Sequence, residues 1–136
     1  MNTGDPPYDL DIAVSGTSIY VVWQQRVWAG GLDPYYTDDI FIKRSTDAGA
    51  TWKPTVRLTN NYDNNYDPAV AVSGSYVYVA WQLDTQGGDI CLRRSANNGA
   101  GWNLTRLTNN AGSSIYPDAA FGTTHVYVVW VDNTPG

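Results

Sequence analysis

Thirteen aspartates, six arginines, one histidine (His125) and one cysteine (Cys91) are the residues of this 136-residue chain best suited to acid–base or covalent chemistry, and no glutamate occurs. Two aspartates can hydrolyse a glycoside when one carboxyl has a raised pKa and faces the other across a defined gap. No spacing in the sequence singles out such a pair. His125 stands where two earlier repeats of the chain carry Ser18 and Tyr76, which reads as a strand-surface side chain and not as a base. Cys91 aligns with Phe41, so a buried, inert thiol is expected, and a lone cysteine closes no disulfide within the chain. The loops Asn60–Asp67 and Asn109–Ser114 are rich in hard oxygen donors of the kind calcium takes. Their alternation departs from the EF-hand order, and Asn and Asp are ordinary residues of tight turns. No metal and no cofactor is expected.

Composition narrows the frame that must position these residues. The net charge of −5, with two lysines in all, offers no basic cluster for phosphate neutralisation and argues against nucleic acid. No apolar run approaches the roughly 18 residues of a membrane span, and the opening MNTGDPP lacks the charged and apolar regions of a secretory signal. Tyr and Trp together supply sixteen residues. With the strong surface helix formers scarce, that excludes a helical bundle and points to strands.

Internal repetition sets the architecture. Tyr8-Asp9-Leu10-Asp11-Ile12-Ala13-Val14-Ser15-Gly16 recurs as Tyr66-Asp67-Pro68-Ala69-Val70-Ala71-Val72-Ser73-Gly74, and a more divergent third copy begins at Ile115. Aromatic strands follow at one offset, ending in Trp23, Trp81 and Trp130. Two further short segments follow in the first two copies, Ile40–Ser45 with Val56–Thr59, and Ile90–Ser95 with Thr105–Thr108. Four short strands (a, b, c and d) in about fifty residues, apolar on both alternating sides, fit a blade buried between neighbours. The expectation is an all-β chain of four-stranded antiparallel β-propeller blades, about two and a half per chain. The first blade spans about 8–61 with a b–c loop insertion at 24–39, the second about 66–110, and a half blade about 115–132.

The c–d hairpins carry the most specific signal. Ser45, Asp47, Gly49 and Trp52, repeated as Ser95, Asn97, Gly99 and Trp102, resemble the Asp box, or BNR repeat, of sialidase-like propellers. Asp47 or Asn97 can accept backbone N–H bonds across such a turn, glycine supplies a positive φ, and the Trp ring folds against the hairpin. In that family the boxes are structural and lie away from the ligand face. The resemblance also implies, for sialidases, a Tyr–Glu nucleophilic couple, an Asp acid/base and three carboxylate-binding arginines. The absence of Glu breaks that set, and Arg44 with Arg94, and Arg57 with Arg106, repeat in step as blade-to-blade structure would. No catalytic residue and no enzyme activity is therefore expected.

Binding has a location. In a propeller the b–c and d–a loops share one face, so the insertion 24–39 belongs to the ligand face. Trp28, Tyr35 and Tyr36 could present flat rings to sugars while Arg26, Asp33 and Asp38 hydrogen-bond; covering a neighbouring blade or subunit is the plainer use of the same rings. Two and a half blades leave apolar faces at both ends, which heterologous association can cover. The expected protein is a non-catalytic scaffold or carbohydrate-binding module completing its ring as a homo-oligomer, with a dimer favoured. Its alternative is a fragment of a sialidase-like glycoside hydrolase whose catalytic residues lie on missing blades. The resemblance alone implies an extracellular or cell-surface setting.

Overall fold

The computed structural model describes residues 5–30, 35–85 and 87–134. Ten antiparallel strands form three sheets, with no helix among the described residues. The first sheet runs in chain order through β1 (Tyr8–Ser15), β2 (Ser18–Trp28), β3 (Tyr36–Ser45) and β4 (Val56–Arg57). The second comprises β5 (Asn65–Ser73), β6 (Tyr76–Leu83), β7 (Asp89–Ser95) and β8 (Asn103–Arg106), and the third is the pair β9 (Ser114–Phe121) and β10 (Val126–Asp132). Strand β5 lies beside both β1 and β9, so the first strand of the second sheet stands between those of the first and third.

Register explains the two-sided apolarity of the sequence. On β2, Tyr20, Val22 and Gln24 point to one face and Ile19, Val21 and Trp23 to the other, by the period of two that a strand imposes. Tyr20, Val22, Ile40, Ile42 and Leu58 of the first sheet pack against Val70, Val77, Val79, Trp81 and Cys91 of the second, forming one buried cluster. Each such side chain fully removed from water contributes roughly 1.5–3 kcal/mol. Polar ties cross the same junction. The Val70 amide donates to Asp11 Oδ2 at 2.7 Å, the Gly74 amide to Ser15 Oγ at 3.1 Å and the Asp67 amide to Gln24 Oε1 at 3.3 Å. Beyond the second sheet, Tyr78 meets Phe121 of the third with ring centroids 6.0 Å apart.

The stretch 24–39 differs from the expected loop. It is largely a lengthened hairpin, with β2 and β3 paired from Ile19↔Ser45 to Trp28↔Tyr36. Polar residues hold this extension because their groups are satisfied: Thr37 bonds Asp39, Asn64 Oδ1 accepts from the Asp38 amide, and Asn65 Nδ2 donates to the Asp38 carbonyl. Asp33 lies outside the described residues.

A repeated clamp closes each four-stranded sheet. Asp39, fully buried, pairs with Arg57 at 2.5 Å and accepts from the Thr59 hydroxyl, which in turn receives the Ile40 amide at 3.0 Å. Asp89, Arg106 and Thr108 repeat the arrangement around the Ile90 amide. Arg57 and Arg106 thus serve their own sheets. This refines the blade-to-blade reading of that pair: register sets Arg57 opposite Phe41 and Arg106 opposite Cys91, two residues along from its own sheet's Asp and on the same face.

Candidate functional site

The two ends of the sheets differ in chemistry. At one end the turn between the first two strands meets the c–d hairpin, with the Ala48 amide donating to the Thr17 carbonyl at 2.8 Å and the Asn98 amide to that of Ser75 at 2.9 Å. The hairpins are near copies. Ser45 Oγ donates to Asp47 Oδ1 (2.7 Å) and accepts the Gly49 amide (2.9 Å), while Asp47 Oδ1 accepts the Thr51 amide (2.8 Å). Ser95 Oγ, Asn97 Oδ1 and the amides of Gly99 and Gly101 reproduce this at 2.8 Å each. Ala48-Gly49 and Asn98-Gly99 are left-handed in succession, φ 55° and 89°, then 56° and 79°, the backbone of a type I′ turn. Trp102 lies against Gly99, whose added Cβ would sit 3.3 Å from the ring, whereas Trp52 stays 40% exposed.

The opposite end gathers ionisable groups. Arg26 and Asp38, at facing positions of the lengthened hairpin, form an ion pair at 3.5 Å. Tyr8 joins them by donating its hydroxyl to Asp38 Oδ1. Burial, then the bond to Asp38 and its charge, push the Tyr8 phenol up to about 12, against the opposing influence of Gln24 and Arg26. Beside this group, Tyr66 is also raised, by burial first and then by Asp84 and Asp38.

Backbone strain marks the same end. Asp9, Asp67 and Tyr116 occupy equivalent positions at the starts of β1, β5 and β9, and all three are left-handed, at φ 49°, 51° and 53°. Each of the three a–b pairings slips register just past this end of its strands, leaving a bulge, between Tyr8 and Asp11, between Tyr66 and Ala69, and between Val129 and Val131. Asp tolerates that conformation and a bulky Tyr does so at a cost. Strain and bulges of this kind concentrate at functional sites. Asp67 is half-buried there, and its carboxyl pKa is raised, by burial first and then by the charge of Asp9.

The expected binding residues are therefore split. Arg26 and Asp38 belong to the ionisable cluster. Trp28 and Tyr62 line a separate recess of about 230 Å³ towards the outer strand, together with Arg57, Asn60 and Asn61. Tyr35 meets Tyr62 there at 6.2 Å between centroids, and Tyr36, exposed, pairs across the hairpin with Trp28. Sequence reasoning missed Tyr8, Asp9, Tyr66 and Asp67 as site residues. Their signal was present as the Tyr-Asp dipeptide that opens two repeats, which reads as a landmark until register shows where it sits.

Other residues have plain roles. Cys91 is buried and its thiol is pushed up to about 11, chiefly by burial. His125 is exposed at the β9–β10 turn, opposite Gly122 and bonded to Thr124. In the 60–65 loop Asn65 Nδ2 donates to Asn61 Oδ1 and the Asp63 carbonyl, while its Oδ1 accepts the Trp81 indole N–H. Those oxygens are committed to the turn. Among the described residues no group of three His, Cys, Asp or Glu side chains is placed to hold a metal.

No protein-family model and no curated protein sequence matches the chain. Solved structures do. An α-L-arabinanase of Penicillium chrysogenum, complexed with arabinobiose, superimposes with a TM-score of 0.62 at 14% identity over 94% of this chain and 40% of its own. A Trypanosoma rangeli sialidase mutant displaying trans-sialidase activity gives 0.61 at 18% identity over 93% of this chain and 26% of its own. Both are β-propeller glycoside hydrolases, and the chain spans less than half the length of either. The all-β fold of antiparallel sheets is thus glycoside-hydrolase-like. The expectation of no enzyme is overturned by these neighbours, because a missing Glu removes one catalytic set and leaves the fold's other chemistry open.

Proposed function

We propose that the chain supplies part of the catalytic face of a glycoside-hydrolase-like β-propeller acting on carbohydrate. One observation carries this reading: the half-buried Asp67 carboxyl has a raised pKa beside a second carboxylate, Asp9, at a strained and bulged strand start. A carboxyl that keeps its proton above the ordinary range can protonate a glycosidic oxygen as it leaves. Its neighbour Asp9 is the second carboxylate that such a pair requires. Tyr8 keeps its proton and orients Asp38, which holds Arg26 for a hydroxyl or carboxylate of the sugar. Trp28, Tyr35 and Tyr62 offer ring faces further out.

The test is hydrolysis of a panel of chromogenic glycosides that includes an arabinofuranoside and a sialoside, with Asp67→Asn as the variant. Loss of a general acid should lower kcat by about 10²–10⁴-fold, and wild-type activity should fall as pH rises through the elevated Asp67 pKa. Inactivity on every substrate, or an Asp67→Asn enzyme as fast as the wild type, would refute the reading.

A second reading concerns what completes the ring. Tyr20, Val22 and Gln24 are 0–2% exposed beneath the second sheet, whereas their equivalents in the third sheet, Tyr127, Val129 and Val131, are 56–63% exposed. At the other end Ile12 is 60% exposed where its equivalent Val70 is 4%. The two open faces are therefore the two halves of a junction the chain already makes twice, between its first and second sheets and between its second and third. A second copy, docked head to tail, fits both. Light scattering behind size exclusion should give a dimer that Val129→Asp, a change on a face exposed in the single chain, converts to monomer. A wild-type monomer would instead assign those faces to further sheets of a longer polypeptide.

A further inference from the structure

At the hairpin end, away from Asp67, a cavity of about 310 Å³ opens between the first sheet and the hairpin of the second. Its polar lining side chains are Tyr20, Arg44, Lys53 and Trp102, set among Ile42, Pro54 and Val56. Tyr20 is completely buried, yet its hydroxyl has no hydrogen-bond partner; Ser18 lies near it without the geometry of a bond. The Trp102 indole N–H is likewise buried and unpartnered. Arg44 forms no ion pair and no side-chain hydrogen bond among the described residues, and its guanidinium lies 3.8 Å from where a Cβ on Gly99 would stand. Buried donors left without acceptors cost free energy and call for an explanation.

The chemistry of the set is one-sided. Arg, Lys and the Trp indole only donate, and a phenol that retains its proton donates as well. Burial raises the Tyr20 phenol, outweighing the lowering by Arg44 and Ser18, so the hydroxyl keeps its proton. No acidic side chain lines the cavity. Four donors, two of them cationic, facing one apolar recess are complementary to an acceptor with negative charge and an apolar body.

We propose that this cavity binds a small organic carboxylate, its charged group on Arg44 and Lys53 with the Tyr20 hydroxyl and Trp102 N–H completing the hydrogen bonds, and its body against Ile42 and Val56. The volume lies at the low end of small-molecule sites, so the ligand has the size of a single ring or short chain. The site is made once among the described residues. In the second sheet the residue equivalent to Arg44, Arg94, lies over the Tyr76 ring at 5.1 Å, and Tyr78, equivalent to Tyr20, is turned to Phe121.

Titration calorimetry and Trp fluorescence on the full chain would use benzoate as probe, with benzamide as its neutral isostere and sodium chloride at matched ionic strength. Saturable binding of benzoate, with benzamide and chloride inert, is expected. Arg44→Gln should weaken it by about tenfold or more, as expected for loss of a charge-assisted pair, and the exposed Lys53→Gln, which cannot threaten folding, by a smaller factor. Equal binding of benzoate and benzamide, no binding of either, or full benzoate affinity in Lys53→Gln would overturn the proposal, whatever becomes of glycosidase activity at the other end.

Discussion

Replacing Thr108 by Val tests the clamp that closes each four-stranded sheet. The Thr108 hydroxyl accepts the Ile90 amide at 2.8 Å and donates to Asp89 Oδ1 at 2.9 Å, and Ile90 is completely buried. Valine keeps the shape and deletes both bonds. The Ile90 N–H then has no acceptor and no water, and Asp89 loses one of the donors that compensate its burial. A stranded buried donor and a lost bond to a charged group together cost about 2–4 kcal/mol. For a domain of this size that lowers Tm by about 6–14 °C. Thermal unfolding followed by Trp fluorescence reads the loss, and Thr108→Ser, which retains the hydroxyl, should recover most of it. Thr59→Val should lose a similar amount, because Thr59 bridges the Ile40 amide and Asp39 in the same way. A loss below about 0.5 kcal/mol in both, smaller than a typical single hydrogen bond, would refute the claim that these hydroxyls hold the sheets closed.

Burial raises the Asp89 pKa, but hydrogen bonds from Thr85, Arg106 and Thr108 outweigh it and hold the carboxyl below its ordinary value. The stabilisation is therefore complete above the unfolded pKa of about 3.9 and is lost as pH falls through the lower folded value; acid unfolding curves should flatten in this region for Asp89→Asn. In the first hairpin Asp47 is pushed down to about 2 by bonds from Thr51 and Ser45. Asp47→Asn, which copies Asn97, should leave Tm nearly unchanged at neutral pH, whereas Asp47→Ala should lower it. Gly99→Ala should cost about 1–2 kcal/mol for the left-handed backbone plus the close approach to Trp102, and Gly49→Ala only the former, since its nearest neighbour, Ile19 Cδ1, would stand at 3.6 Å; urea unfolding of the two variants gives the difference.

Strand order and the pairing of turn with hairpin were legible because the repeat displays them twice. Trp23 facing Phe41 and Trp81 facing Cys91 are the same register read in two copies. The extension of β2 and β3 was hidden, since Arg26, Asp38 and Asp39 are poor strand residues in isolation and are stabilised there by partners distant in sequence, Tyr8, Asn64 and Arg57. The ionisable cluster was hidden for a related reason. Asp67 owes its raised pKa to burial and to Asp9, fifty-eight positions earlier, and only packing of β5 beside β1 brings those two aspartates together. The cavity at Tyr20 is a negative of side-chain shapes from two sheets, which no linear pattern encodes. The expectation of no enzyme rested on the missing Glu, the repeated arginines, the plain settings of His125 and Cys91 and the lack of a paired-Asp spacing, and linear spacing does not register aspartates that only packing brings together.

The shared core between the first two sheets has a consequence for synthesis. Every tie that closes the first sheet, Asp39 to Thr59 being the last, lies within the first sixty residues, whereas the core beneath Tyr20 and Val22 is completed by Val79 and Trp81. Between Thr59 and Trp81 a ribosome adds 81 − 59 = 22 residues, which takes about 1–4 s at roughly 5–20 residues per second. During that interval a finished sheet displays an uncovered apolar surface on a nascent chain. Slow codons between the two units would lengthen the exposure, and a holdase that engages emerging chains would find its first client surface there, at Tyr20, Val22 and Ile42.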